Sequence, residues 1–179
     1  MRKKTVEEKD RIAEIYNWVN AAIFALVCLI VVFGLLFRVV RVEGASMNPT
    51  LKDGEGLMIS TAFFEAERGD IVIVRRSSEQ PMVKRVIAVG GDTLRIDPVS
   101  GKVYLNGRCL QEEYTLGATF PRDFGIDSRV IPDGYLMVMG DNREKSKDSR
   151  SAEIGLVPEG QVIGQVLCRI YPLDKAGRV

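Results

Sequence analysis

The sequence contains no histidine. Without an imidazole there is no Ser-His-Asp or Cys-His relay, no HExxH zinc site and no His-based deaminase centre, so any proton transfer must use another group. Cysteine is scarce. Three in 179 residues are too few for a disulfide-built scaffold, and no His/Cys spacing suggests a ligand set, so neither a metal nor an organic cofactor is expected. An excess of either charge is also missing: Lys plus Arg is 25 against 24 for Asp plus Glu, and no block of five or six like charges occurs. Nucleic acid is therefore not an expected partner. Neither S-x-x-K nor KTG occurs, which sets aside the penicillin-binding serine enzymes. Repeats, low-complexity tracts and an extended Gly/Ser linker are absent too, and the length suits one modest core.

What is present begins with a long apolar run. Residues 21–37 (AAIFALVCLIVVFGLLF) carry no charge, and counting back to Trp18 gives an uncharged stretch of 20 residues broken only by polar Asn20. At 1.5 Å per residue a 20-residue helix spans about 30 Å, the thickness of bilayer hydrocarbon. A buried soluble helix would spend much of this small chain's apolar content on a segment with no polar face. Tyr16 and Trp18 mark one edge, Arg38 and Arg41 the other. Five basic residues precede the run (Arg2, Lys3, Lys4, Lys9 and Arg11), against Arg38, Arg41 and Lys52 close after it. Positive-inside counting then divides the chain into a cytoplasmic segment (1–17), a single-pass anchor (18–37) in the cell membrane and an exported domain (38–179). A cleaved signal peptide is the competing reading, but its apolar core is usually 7 to 15 residues.

Beyond residue 41 the texture changes to short branched and aromatic runs separated by Gly, Pro and Asp. IVIVR (71–75), MVKRVIAV (82–89), KVYL (102–105), YLMVM (135–139) and VIGQVLCRI (162–170) read as strands. No later stretch holds a 3.6-residue pattern for three turns, so the exported part is expected to be mainly antiparallel β. Asn106-Gly107 supplies the positive φ values of a two-residue hairpin turn. Residues 112–129 read as a long excursion containing Phe120 and Phe124. Cys109 and Cys168 lie outside the span, and the sequence leaves their pairing open.

Three polar islands interrupt this pattern. GASMNPTL (44–51) carries Ser46, nine residues beyond Phe37 and so at most about 30 Å of extended chain from the membrane edge. Its plain reading is a turn serine. In MVKRVIAVGGD, period two puts Lys84 on the side of Met82, Val86 and Ala88, and Arg85 on the side of Val83 and Ile87, so one basic side chain follows an apolar face. A buried lysine has a pKa lowered toward neutrality and can serve as a general base; the alternative is a snorkelling edge-strand lysine. GDNREKSKDSR (140–150) follows the apolar strand YLMVM directly. It is either a solvated charged loop or a frame whose serine orients an amine.

These islands, in this order behind an N-terminal anchor, resemble a bacterial type I signal peptidase. The likeness covers the span and essentially the whole exported domain, through SMNPTL (46–51), RGDIVIVR (68–75), KRVIAVGGD (84–92), GDNREKSKDSR (140–150) and the terminal QVLCRIYP. The resemblance implies a coiled antiparallel β-sheet serine endopeptidase with a Ser/Lys dyad, Ser46 as nucleophile and Lys84 as general base. It implies that Ser146 hydrogen-bonds to the lysine, that Asp148 and Arg150 support the loop, and that Asp141 and Arg143 assist. Some members use a serine hydroxyl two residues before the nucleophile in the oxyanion hole. Gly44 stands there, as in Gram-positive-type members, so the Ser46 backbone N–H, with help from Gly44 or water, is the implied oxyanion donor. Met47 resembles the residue beside the substrate pocket; Leu57, Ile59, Val83 and Ile87 are candidate lining residues, for each of which core packing is an equal account.

The implied substrates are exported preproteins with small residues before the cleavage site, met at the membrane lipid surface and close to the secretion channel. Another membrane-tethered Ser/Lys peptidase would share the chemistry. A noncatalytic anchored β domain would leave the SMNPTL and KRVIAVGGD matches accidental.

Overall fold

A computed structural model describes residues 2–62, 64–76, 80–123 and 128–179. It divides into two compact units, residues 1–37 and 38–179. The first is one helix, α1 (Arg2–Leu36). Its stretch Glu14–Leu36 has a mean hydropathy of 2.8 and no protein cover, with Trp18 77% and Leu35 69% exposed. A helix that is apolar all round and unburied by protein needs lipid around it, and 23 residues suffice to cross a bilayer. The helix starts well before Trp18 and stops one residue short of the expected anchor, because Phe37 already opens a strand.

Among its described residues the second unit has strands and connecting loops, with two single-turn helices, η1 (Glu159–Gln161) and η2 (Leu173–Lys175). Eleven strands follow in chain order: β1 (Phe37–Arg41), β2 (Gly56–Ser60), β3 (Ile71–Val74), β4 (Met82–Ala88), β5 (Thr93–Ile96), β6 (Val103–Leu105), β7 (Arg108–Cys109), β8 (Arg129–Val130), β9 (Tyr135–Met139), β10 (Val157–Pro158) and β11 (Val162–Tyr171). Seven of them form one sheet in the order β1-β2-β11-β3-β4-β9-β10, and four form a second in the order β7-β6-β5-β8. β11 pairs antiparallel with β2 and β3, with register shifts on both sides that bend it.

The alternation of β3 shows how the core is divided. Ile71 and Ile73 enter a cluster with Val42, Met47, Leu51, Leu57, Ile59 and Val166, while Val72 and Val74 enter another with Val86, Leu136, Val138 and Val157. A four-residue strand apolar at every position is thus buried on both faces. A third cluster joins Ile87, Ala88, Met137 and Met139 to Leu94, Ile96, Val103 and Leu105 of the small sheet. Asn106 (φ 51°) and Gly107 (φ 81°) make the expected hairpin turn, with Leu105 opposite Arg108. All three cysteines are free. Of the excursion's two aromatics, Phe120 is half-exposed and Phe124 lies outside the described residues.

Candidate active site

Ser46 lies on the turn between β1 and β2, in a segment held from both ends. Met47 and Leu51 are buried in the core beneath it, each worth about 1.5 to 3 kcal/mol of burial, and Leu51 N–H closes a turn on Met47 C=O at 2.9 Å. On the other side the Gly44 N–H donates to Asp53 Oδ1 at 2.8 Å. That bond is a correction to the oxyanion role expected of Gly44, since its hydrogen is already engaged. The Ser46 N–H has no protein acceptor among the described residues.

Lys84 stands on β4 between β3 and β9, opposite Val72, and is only 3% exposed. Its Nζ lies 3.0 Å from Ser46 Oγ and 3.0 Å from the Val83 carbonyl. Burial lowers its pKa from 10.5 to about 8; Asp148 pulls it back up, Arg76 adds to the lowering and Asp141 opposes it. A basic side chain does follow an apolar face, and it does so on both sides: β4 lies between β3 and β9 with both faces covered, so Lys84 and Arg85 are each buried. Arg85 makes a two-pronged pair with Asp141, Nε to Oδ1 at 2.9 Å and Nη2 to Oδ2 at 2.7 Å.

Asp141, Asn142, Arg143, Ser146, Asp148, Ser149 and Arg150 of the 140–150 loop form a buried frame, which excludes the solvated-loop reading for them, while Glu144, Lys145 and Lys147 are exposed. Asp148 and Arg150, both fully buried, form a fork at 2.8 Å on each prong, and Arg150 also donates to the Arg143 carbonyl. Burial pushes the Asp148 carboxyl up, but Arg150 and the Gly140 N–H outweigh this and hold it below the ordinary range. Arg143 reaches the Gly140 carbonyl, Thr119 Oγ1 and the Glu112 carboxylate. Asp141 accepts from Thr50 Oγ1 as well as from Arg85, so one carboxylate joins the Ser46 segment to the Lys84 strand.

Ser146 is fully buried, and its Oγ makes no hydrogen bond of normal geometry, although it is near enough to Asp148 to help hold that carboxyl down. The hydrogen bond to Lys84 expected of it is not formed here. Lys84 Nζ turns instead to Ser46 and to its neighbour's carbonyl.

A cleft of about 710 Å³ opens at Ser46 and Lys84, with apolar walls from Val40, Ile59, Ile73, Met82, Val83 and Ile163. Of the candidate lining residues, Ile59 and Val83 face it. Met47, Leu57 and Ile87 do not: the first two are enclosed in the core under the Ser46 turn, and Ile87 packs toward the small sheet.

Several residues at the site carry no local sequence signal. Glu112 and Thr119, on the excursion, complete the Arg143 coordination, and Tyr114 lies under the Arg85 guanidinium at 4.1 Å. Burial and the neighbouring Glu112 push the Tyr114 phenol up, so it stays neutral. Asn142 holds the nucleophile turn directly, its N–H donating to Ser46 C=O at 3.0 Å and its Nδ2 to Ala45 C=O at 3.1 Å. No cluster of three or more potential metal ligands occurs among the described residues.

Comparison with known proteins bears on this arrangement. Residues 15–171 match the model of the family described as signal peptidase, peptidase S26. Signal peptidase IB of Staphylococcus aureus strain COL is 33% identical over 180 residues, covering 90% of this chain and 92% of its own. Signal peptidase I of Bacillus licheniformis is 35% identical over 186 residues, covering 97% and 96%. The crystal structure of a signal peptidase I from Enterococcus faecalis is 27% identical, covers 58% of this chain and 98% of its own, and superposes with a TM-score of 0.47. With a family match over most of the chain and, among the described residues, a single helix able to span a membrane, this protein belongs to the signal peptidase family S26, the membrane-anchored peptidases that cleave exported preproteins.

Proposed function

We propose that Ser46 is the nucleophile and Lys84 the general base of this peptidase. The observation that carries the reading is the 3.0 Å approach of a buried lysine amine, with its pKa lowered to about 8, to a serine hydroxyl on the wall of an apolar cleft. In its neutral form Lys84 accepts the Ser46 proton as Oγ attacks the scissile carbonyl, and the protonated amine then delivers that proton to the leaving nitrogen. Water, deprotonated by the same amine, releases the acyl group. The unengaged Ser46 N–H is the donor available to the oxyanion. Arg143, Asp148 and Arg150 shape the loop behind the dyad, and Asp141 ties its two halves together.

The apolar walls suit an extended segment with small side chains before the cleaved bond. The 5 to 3 balance of basic residues around the span favours a cytoplasmic N-terminus, and a tether of nine residues from Phe37 to Ser46 keeps the cleavage site near the outer leaflet and the secretion channel. In intact cells, external protease should degrade the domain beyond Val42, and protection of that domain would reverse the topology. In reconstituted vesicles, Ser46→Ala should leave a signal-bearing preprotein uncut while the wild type trims it.

Ser146→Ala tests the orienting role. Its Oγ is one of the buried polar atoms without a hydrogen bond of normal geometry among the described residues, and Lys84 needs its amine held toward Ser46 through several rotatable bonds. The expected result is acylation slowed by about 10-fold to 1000-fold, the scale of about 1.4 to 4 kcal/mol, with KM little changed. Unchanged kcat and kcat/KM in a folded variant would leave Ser146 a loop-shaping residue.

A further inference from the structure

Within the Ser46 and Lys84 reading, on which this inference rests, the oxyanion donor is one peptide N–H, and its direction depends on the plane of the Ala45–Ser46 peptide. That peptide is trans, since the cis bonds of the described chain lie at Asn48–Pro49 and Tyr171–Pro172. In a trans peptide the C=O and N–H point in opposite directions. Whatever holds the Ala45 carbonyl therefore aims the Ser46 N–H. Ala45 C=O accepts two hydrogen bonds, from Asn142 Nδ2 at 3.1 Å and from Asn48 N–H at 3.3 Å. Asn48 belongs to the same turn and moves with it, whereas Asn142 comes from the buried loop 97 positions away.

Asn142 is itself only 4% exposed and is fixed by its own backbone. Its N–H donates to Ser46 C=O at 3.0 Å, and its C=O accepts from Ser146 N–H at 2.9 Å. We infer that Asn142 is a positioning residue that sets the orientation of the Ser46 N–H as oxyanion donor by clamping the carbonyls on either side of it. A donor bonded to the far end of the same amide also polarises the N–H toward the site it faces. The contribution is largest when charge develops on the substrate oxygen, so it should appear in the transition state and not in ground-state binding.

The test uses the full chain in detergent micelles. Asn142→Ala removes the Nδ2 donor but keeps the backbone N–H to Ser46; Asn142→Asp keeps the volume and replaces the donor with a carboxylate oxygen facing the Ala45 carbonyl. Each should lower kcat about 10-fold to 100-fold with KM within about twofold, since loss of a whole oxyanion donor costs about 100-fold to 1000-fold. The pH midpoint of kcat/KM should stay that of the wild type in Asn142→Ala, because the Lys84 contacts are untouched and no charge is added, whereas the carboxylate of Asn142→Asp should move it upward by favouring the protonated amine. Affinity for a peptide aldehyde, whose tetrahedral adduct presents the oxyanion, should fall by the same factor as kcat. Binding of the parent peptide, measured in a Ser46→Ala background, should not change.

If Ser46→Ala is inert and the two Asn142 variants turn over within twofold of wild type, the positioning role is overturned and the dyad stands. A loss confined to KM in either variant, or accompanied by a shifted pH midpoint in Asn142→Ala, overturns it equally, because either places the effect in substrate binding or on the base. Turnover by Ser46→Ala removes the dyad and this inference together. Should Asn142→Ala unfold, Asn142→Asp decides.

Discussion

Lys84→Arg is expected to reduce preprotein cleavage by about 10⁴-fold or more, to the background level of Ser46→Ala, despite keeping a basic side chain at residue 84. The reaction needs a base that is unprotonated near neutral pH. Burial brings the lysine amine to about 8, so about a tenth of it is neutral at pH 7. A guanidinium holds its proton above pH 12 and has no lone pair to offer. It is also a planar fork placed where a compact amine fits between Ser46 Oγ and the Val83 carbonyl. Because nucleophile and base act as one unit, the Ser46→Ala, Lys84→Ala double variant should be no slower than either single variant. Single-turnover cleavage of a purified preprotein is the measurement. Additive losses in the double variant would mean that the two residues act in separate steps.

The second large effect is expected at Gly140, which the sequence presents only as a glycine closing a strand. It follows β9, its N–H donates to Asp148 Oδ2 at 3.1 Å and its C=O accepts from Arg143. A Cβ added there would overlap both Ser146 Oγ and the Ser46 carbonyl oxygen. One of these is backbone of the nucleophile turn and the other a fully buried side chain, so neither can retreat without moving the site. Gly140→Ala should therefore cost about 1000-fold or more in kcat/KM, together with about 1 to 3 kcal/mol of stability from overpacking. Gly160→Ala is the matched control: nothing lies within 4 Å of its added Cβ, and activity should stay near wild type. Thermal unfolding beside steady-state kinetics separates the two costs. A fully active Gly140→Ala enzyme would mean that the approach of the 140–150 loop to Ser46 is looser than described.

The parts of this architecture that were legible from the sequence are those whose cause is local. YLMVM is a strand residue for residue, because five apolar positions in a central strand leave no choice of face. Asn106-Gly107 turns as expected because φ preference is a property of the two residues themselves. FRVVR and GLMIS, by contrast, carry no clear strand signal in the sequence. The first merges with the apolar run before it, lies at the sheet edge and is largely exposed, so it shows no buried alternation. The second is five residues long and opens with glycine, and it is specified by pairing with β11 more than 100 positions away.

The site divides in the same way. Ser46, Lys84 and the 140–150 loop stand out as polar islands among apolar runs. Their partners do not, since Thr50–Asp141, Arg143–Glu112 and Asn142–Ala45 are contacts over 91, 31 and 97 positions with no local trace. Leu57 and Ile87 are equally compatible with a pocket or a core by sequence, and only the packing decides for the core; Met47, which the resemblance puts beside the pocket, is enclosed in the core as well.

The proposed use of Lys84 as a neutral base is most directly tested by the pH dependence of kcat/KM for wild-type enzyme on a peptide spanning a signal cleavage site. The folded pKa lies below the ordinary 10.5, so the active amine is lost by protonation as pH falls through about 8 and is fully present above it. The account predicts a rate that climbs about tenfold per pH unit below this midpoint and levels off above it. A flat profile between pH 6 and 9, or one that falls as pH rises through 8, would contradict it.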